Sequence, residues 1–218
     1  MKKRTKVLLL LLSAVLLVVA SVFGTIAYLT DKDNQVTNTF TVGKVEITLD
    51  EAKVDVYGVK ANPEVRTSSN AYKLIPGHTY TKDPKIQVLE GSEECYLFVK
   101  VENGLVNYEM SANTIESQMT AKGWKAVDGN KEPGVYYYYG SSSTNGAVSE
   151  KTSVEVFNTF TIDEKADSKN GWKNIDTSKP VISVTAYAIQ ADGFKPTKDN
   201  PTDEDYAAAI KQAWNKVK

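Results

Sequence analysis

An all-β sandwich is the fold class this sequence predicts, and three observations carry the prediction. Short segments rich in Val, Ile, Thr, Tyr and Phe recur along most of the 218 residues, and such side chains fit the pleated, half-buried surface of a strand. Turn residues separate them, without the regular intervening helices of a βαβ protein. The longest amphipathic helical stretch stands at the C-terminus, where it can cover a sheet instead of crossing between strands.

Taken in order, the first strand is expected from Thr39 to Leu49. Its apolar residues Phe40 and Val42 change phase to Val45, Ile47 and Leu49 at Gly43, which reads as a β-bulge restoring the inward face. Further strands are expected at Asp55 to Val59, Lys85 to Leu89, Glu94 to Glu102, Trp124 to Val127, Val135 to Tyr139, Ser153 to Ile162 and Val181 to Gln190. Asp128-Gly129-Asn130 marks a turn between the strand ending at Val127 and the one beginning at Val135. Residues Tyr136 to Tyr139 would alternate two inward and two outward. The outward pair could serve a sugar or protein surface, and strand propensity explains the run equally well. Asn62 to Ala71 and Asp163 to Pro180 are polar and read as surface loops.

Two helices are expected. Asn113 to Lys122 offers Asn113 as N-cap, Glu116 three residues on, Ile115 and Met119 one turn apart, and Gly123 as terminator. Asp203 to Val217 carries Thr202 as cap, three acidic residues in its first turn and lysines toward its end, complementing the helix dipole. Its stripe of Tyr206, Ala209, Ile210, Ala213, Trp214 and Val217 must pack on something.

The N-terminus carries an export signal. Lys2, Lys3, Arg4 and Lys6 precede an apolar run from Val7 to Phe23, and Thr25 and Ala27 supply the small residues of a peptidase site. Cleavage between Ala27 and Tyr28 would leave a mature domain of residues 28 to 218 that touches membrane only before processing. An uncleaved anchor is the rival reading, because the run approaches the roughly 17 to 25 residues that span a bilayer. Removing residues 1 to 27 takes away four basic and no acidic residues, leaving 22 basic against 27 acidic and a net charge of −5. With Arg66 its one arginine, the mature chain lacks the basic stripe that nucleic acid requires.

Catalytic signatures are mostly absent. One histidine, His78, follows Pro76-Gly77 in a turn, and one cysteine, Cys95, lies in the apolar run CYLFVKV. Cys95 is either a reactive or intermolecular thiol or a small buried hydrophobe, and its setting favours burial. A zinc site needs three or four ligands, so neither a metal nor another cofactor is expected. HExxH, a GxSxG elbow, a P-loop and GxGxxG are missing. Glu93 and Glu94 have no framework marking a glycosidase pair. Asp31, Asp33 and Asn34 fall short of an EF-hand and read as solvated loop.

The blocks Gly24-Thr25-Ile26-Ala27-Tyr28-Leu29-Thr30-Asp31 and Asn38-Thr39-Phe40-Thr41-Val42-Gly43 carry a resemblance, with Leu74-Ile75-Pro76-Gly77, Lys82-Asp83-Pro84, the stretch from Ile182 to Phe194 and Ala213-Trp214 beyond them. The chain resembles the TasA/camelysin family of exported Gram-positive proteins, which are processed by a SipW-type signal peptidase. The resemblance implies a jelly-roll-like antiparallel β-sandwich with a few peripheral helices. It also implies a secreted subunit of cell-surface or biofilm-matrix fibres, polymerising with itself head to tail. The donated strand would be Tyr28 to Asn38, with Tyr28, Leu29, Thr30, Val36 and Asn38 in it; Lys32 to Gln35 are hydrophilic enough for a flexible terminus instead. Some members are described as metalloproteases, but this sequence departs from them in showing no zinc-ligand set, so that activity is not carried over. Two alternatives to the fibre subunit remain: an exported enzyme, such as a secreted camelysin-like metalloprotease, and a monomeric cell-surface binding module using the tyrosine surface.

Overall fold

A computed structural model describes residues 43–128, 131–166 and 182–217. Within them the chain is mainly β, with antiparallel sheets and a C-terminal helix. The strands are β1 (Ile47–Ala52), β2 (Arg66–Thr67), β3 (Thr79–Thr81), β4 (Lys85–Val88), β5 (Cys95–Asn103), β6 (Trp124–Ala126), β7 (Val135–Tyr138), β8 (Ala147–Val148), β9 (Ser153–Glu155), β10 (Thr159–Thr161) and β11 (Ile182–Gln190). The helices are α1 (Ile115–Ala121) and α2 (Asp203–Val217). One sheet runs β2-β1-β4-β9; a second runs β11-β5-β7-β6, with β8 also pairing β5; β10 and β3 form a separate ladder.

The middle of β5 explains how the layers are held. Cys95 to Val99 are all fully buried, a continuous apolar run instead of an alternating one, and the reason is that both faces of this strand are covered. Cys95, Leu97, Val99 and Val101 join a cluster with Ile86, Val88 and Val154 of the first sheet. Tyr96 and Phe98 join a second cluster with Ile210, Ala213 and Trp214 of α2. The same period-two division runs through β11, where Ile182, Val184, Ala186 and Ala188 pack on the first cluster and Tyr187 and Ile189 on the second. Each fully buried side chain of this size contributes about 1.5–3 kcal/mol.

α2 forms as its residues dictate. Thr202 Oγ1 accepts from Asp205 N at 3.3 Å and Asp205 Oδ2 accepts from Thr202 N at 2.8 Å, a reciprocal cap of two otherwise orphan donors. Lys198 reaches the same carboxylate at 2.7 Å, and these bonds hold the Asp205 carboxyl well below the usual carboxylate range. Its buried residues are Ala209, Ile210, Ala213 and Trp214.

Several expected elements are corrected. Asp55 to Val59 is a turn: Asp55 Oδ1 accepts from both Tyr57 N and Val59 N at 2.9 Å, leaving Val54 and Lys60 as an isolated bridge. Ser153 to Ile162 divides into β9 and β10, which belong to different sheets. The break is held by Gln118 of α1, whose Oε1 accepts from Asn158 N and Thr159 N at 3.1 Å and whose Nε2 donates to Thr159 O at 2.8 Å. The cap of α1 is Thr114, not Asn113, with its side chain accepting from Ser117 N at 3.1 Å; Asn113 reaches Thr159 Oγ1 instead. The stretch Asn62 to Ala71 contains β2. Tyr137 is buried beside α2, and Tyr139 Oη donates to Asp203 Oδ1 at 2.8 Å, so the outward tyrosines face the helix rather than solvent. The expected hairpin is present as β6 and β7, with Gly129 and Asn130 outside the described residues. So are Thr39 to Val42 of the expected first strand.

Candidate functional site: an open sheet edge and a buried polar cluster

The residues expected to act in export and assembly, Ala27, Tyr28, Leu29, Thr30, Val36 and Asn38, lie outside the described residues, as do Asp31, Asp33 and Asn34. What the described residues present is the edge such a segment would need. β11 pairs with β5 along all nine of its residues, from Ile182 opposite Asn103 to Gln190 opposite Cys95. No strand among the described residues pairs with its other side. In an antiparallel ladder alternate residues turn their N–H and C=O outward, so this rim offers main-chain donors and acceptors along about 30 Å. Its sequence, ISVTAYAIQ, holds neither a charge nor a proline, and those are the devices by which exposed edges usually discourage pairing. Gly43 sits against the end of this strand, so closely that a Cβ there would overlap the side-chain amide of Gln190. The first described residue therefore lies beside the edge.

The polar residues that stand out in the sequence have structural roles. His78 Nε2 is 2.8 Å from Tyr57 O, and its ring meets Tyr80 edge-on at 4.5 Å. Glu94 pairs with Lys195 at 3.0 Å. Cys95 is buried, its Sγ donates to Val148 O at 3.7 Å, and burial with the nearby charge of Glu94 pushes its thiol up to about 12. Native protein should therefore resist an aromatic disulfide reagent at about pH 8 and release one thiol per chain in denaturant, since thiolate is the reacting form; full reaction without denaturant would show the strand open.

Comparison with models of protein families, with curated proteins and with solved structures finds no match for this chain.

A second polar arrangement, which pattern reading misses, closes the β1 and β2 end. Asp83 Oδ1 accepts from Ala52 N at 2.7 Å while its carboxylate pairs with Lys60 at 2.9 Å and Arg66 at 3.3 Å. Burial alone would raise the Asp83 carboxyl, but these partners outweigh it and hold the group below its usual range. Arg66 also bonds Asp50 Oδ1 at 2.8 Å. Beside this network Glu51, 4% exposed, accepts from Lys82 Nζ at 2.7 Å and from Asn70 Nδ2 at 3.1 Å, one on each carboxylate oxygen. Asn70 and Lys82 are separated in sequence from Glu51 by 19 and 31 positions, and no local periodicity links the three. Only the pairing of β1 with β2 and the return through β3 bring them together.

Proposed function

We propose that this chain is an exported structural protein whose mature form is a subunit of cell-surface or biofilm-matrix fibres. The two sheets that share the first apolar cluster are read as the halves of a jelly-roll-like sandwich, open along β11. Tyr28 to Asn38 of one molecule adds to that edge on the next. Backbone pairing supplies the affinity, while Tyr28, Leu29 and Val36 supply side chains for the apolar positions on either face. Donation from one copy to the next does not close on itself, so the product is a filament. A SipW-type peptidase cutting between Ala27 and Tyr28 would free the segment only once export is complete.

The observation that carries this reading is the nine-residue β11 edge, uncharged and free of proline, with apolar side chains on both faces and Gly43 beside its end. Electron microscopy of the exported protein should show filaments. Deleting residues 28–38 should abolish them while leaving the circular dichroism spectrum and the denaturation midpoint close to those of the intact domain, because the core clusters are retained. Filaments of unchanged morphology from the truncated protein would rule out this segment as the donor. A protein that is monomeric with the segment present would mean that it covers its own edge.

A further inference from the structure

We propose that Lys82 and Asn70 become joined by an intramolecular isopeptide bond, with Glu51 carrying the protons between them. Such a bond is independent of fibre formation, because its three residues form one cluster inside a single copy. Transamidation of this kind needs an amine nucleophile, a carboxamide and a proton carrier held together away from water. The chain supplies all three. Lys82 Nζ and Asn70 Nδ2 bond the two oxygens of one carboxylate, at 2.7 and 3.1 Å. The carboxamide is fixed besides: Nδ2 donates to Ala52 O at 2.8 Å, and Oδ1 accepts from Val54 N at 2.9 Å. That last contact matters chemically, since a main-chain N–H already points at the oxygen on which negative charge would develop.

The surroundings suit the reaction. The Lys82 side chain is 11% exposed and that of Glu51 5%. Tyr72 donates to Thr81 O at 3.0 Å, next to Lys82, and packs edge-on against Tyr80 and Phe160 at 5.7 and 5.1 Å. Tyr72 itself lies beside the cluster, near enough for the charge of Glu51 to act on its phenol. Burial first, and the charge of Glu51 second, push the Tyr72 phenol well above its ordinary value.

The steps balance without an added reagent. Glu51 takes a proton from the Lys82 ammonium, and the freed lone pair attacks Asn70 Cγ, forming the new C–N bond. Charge collects on Oδ1 against the Val54 N–H. The Cγ–Nδ2 bond then breaks, and Nδ2 leaves with the two protons that Lys82 gives up, relayed by Glu51. Lysine ammonium and carboxamide become secondary amide and ammonium ion, and Glu51 ends as the carboxylate it began as. The bond would tie the loop after β2 to the residue that follows β3.

Intact-mass measurement of the purified folded protein, with its N-terminus assigned by sequencing, tests this. The expected mass is about 17 Da below that of the sequence, one ammonia lost. Proteolysis should yield a branched peptide joining the Asn70 and Lys82 segments. Lys82→Ala and Glu51→Gln should return the full sequence mass. Asn70→Asp, which keeps the shape but loses water in place of ammonia, should fall short by about 18 Da. The branched peptide from the unaltered protein decides the question even if a variant fails to fold. Full sequence mass in the folded protein overturns the proposal, leaving an ion pair with a bridging amide, and so does an ammonia loss that maps to any other residue.

Discussion

Replacing Trp214 by alanine is expected to lower the stability of the domain by about 3–5 kcal/mol, the range for emptying a large buried aromatic site. The indole is 4% exposed and lies against Phe98 and Tyr187, each at 5.3 Å between ring centroids. Its Nε1 has no hydrogen-bond partner among the described residues, so truncation orphans no polar group and the loss is one of apolar contact and cavity. For the same reason Trp214→Phe should cost less than half as much. Chemical denaturation followed by far-ultraviolet circular dichroism measures both. A shift of only a few tenths of a kcal/mol for the alanine variant would mean that α2 is not docked on the sheet in solution.

Gly123→Ala should be comparably damaging although it adds a single methyl group. Gly123 ends α1 with φ of +92°, and an added Cβ would overlap Gly140 Cα and stand 2.8 Å from Gly140 N. The left-handed conformation costs a residue with a side chain about 1–2 kcal/mol. Displacing packed main chain adds about 1–3 kcal/mol. Tyr139 N donates to Gly123 O at 2.9 Å, so the strain would pass into the end of β7. Gly91 is the control: its φ is +80°, and a methyl group added there would meet nothing within 4 Å. Gly91→Ala should therefore show the conformational part alone. Equal midpoints for the two variants in thermal or chemical unfolding would refute the close approach of Gly123 to Gly140.

The elements legible in the sequence are those whose side chains meet the same neighbours along their whole length. β5 announces itself by five consecutive apolar residues, α2 by a stripe with a cap and charged ends, and β11 by its β-branched and aromatic content. Asp55 to Val59 misleads because three of its residues, Val56, Tyr57 and Val59, are strand formers, yet they lie 44%, 43% and 63% exposed around an aspartate-centred turn. Composition registers propensity but not the competing bonds of Asp55 to its own backbone. Ser153 to Ile162 looks continuous because both halves are apolar. What divides it is Gln118, 41 positions from Thr159 in sequence. β2, β3 and β8 are too short to have any period. The polar cluster is hidden for a related reason: Glu51, Asn70 and Lys82 are each unremarkable in place, and only the fold brings Asn70 and Lys82 within hydrogen-bond reach of Glu51.

With the first sheet on one side of β5 and α2 on the other, neither face of that strand is bare from Cys95 to Val99. A segment that met this sheet along β11 would do so through peptide groups that every sequence shares. The geometry of such a contact would be fixed by the spacing of the backbone, so the solvent-facing side chains could drift widely while that contact kept its pitch.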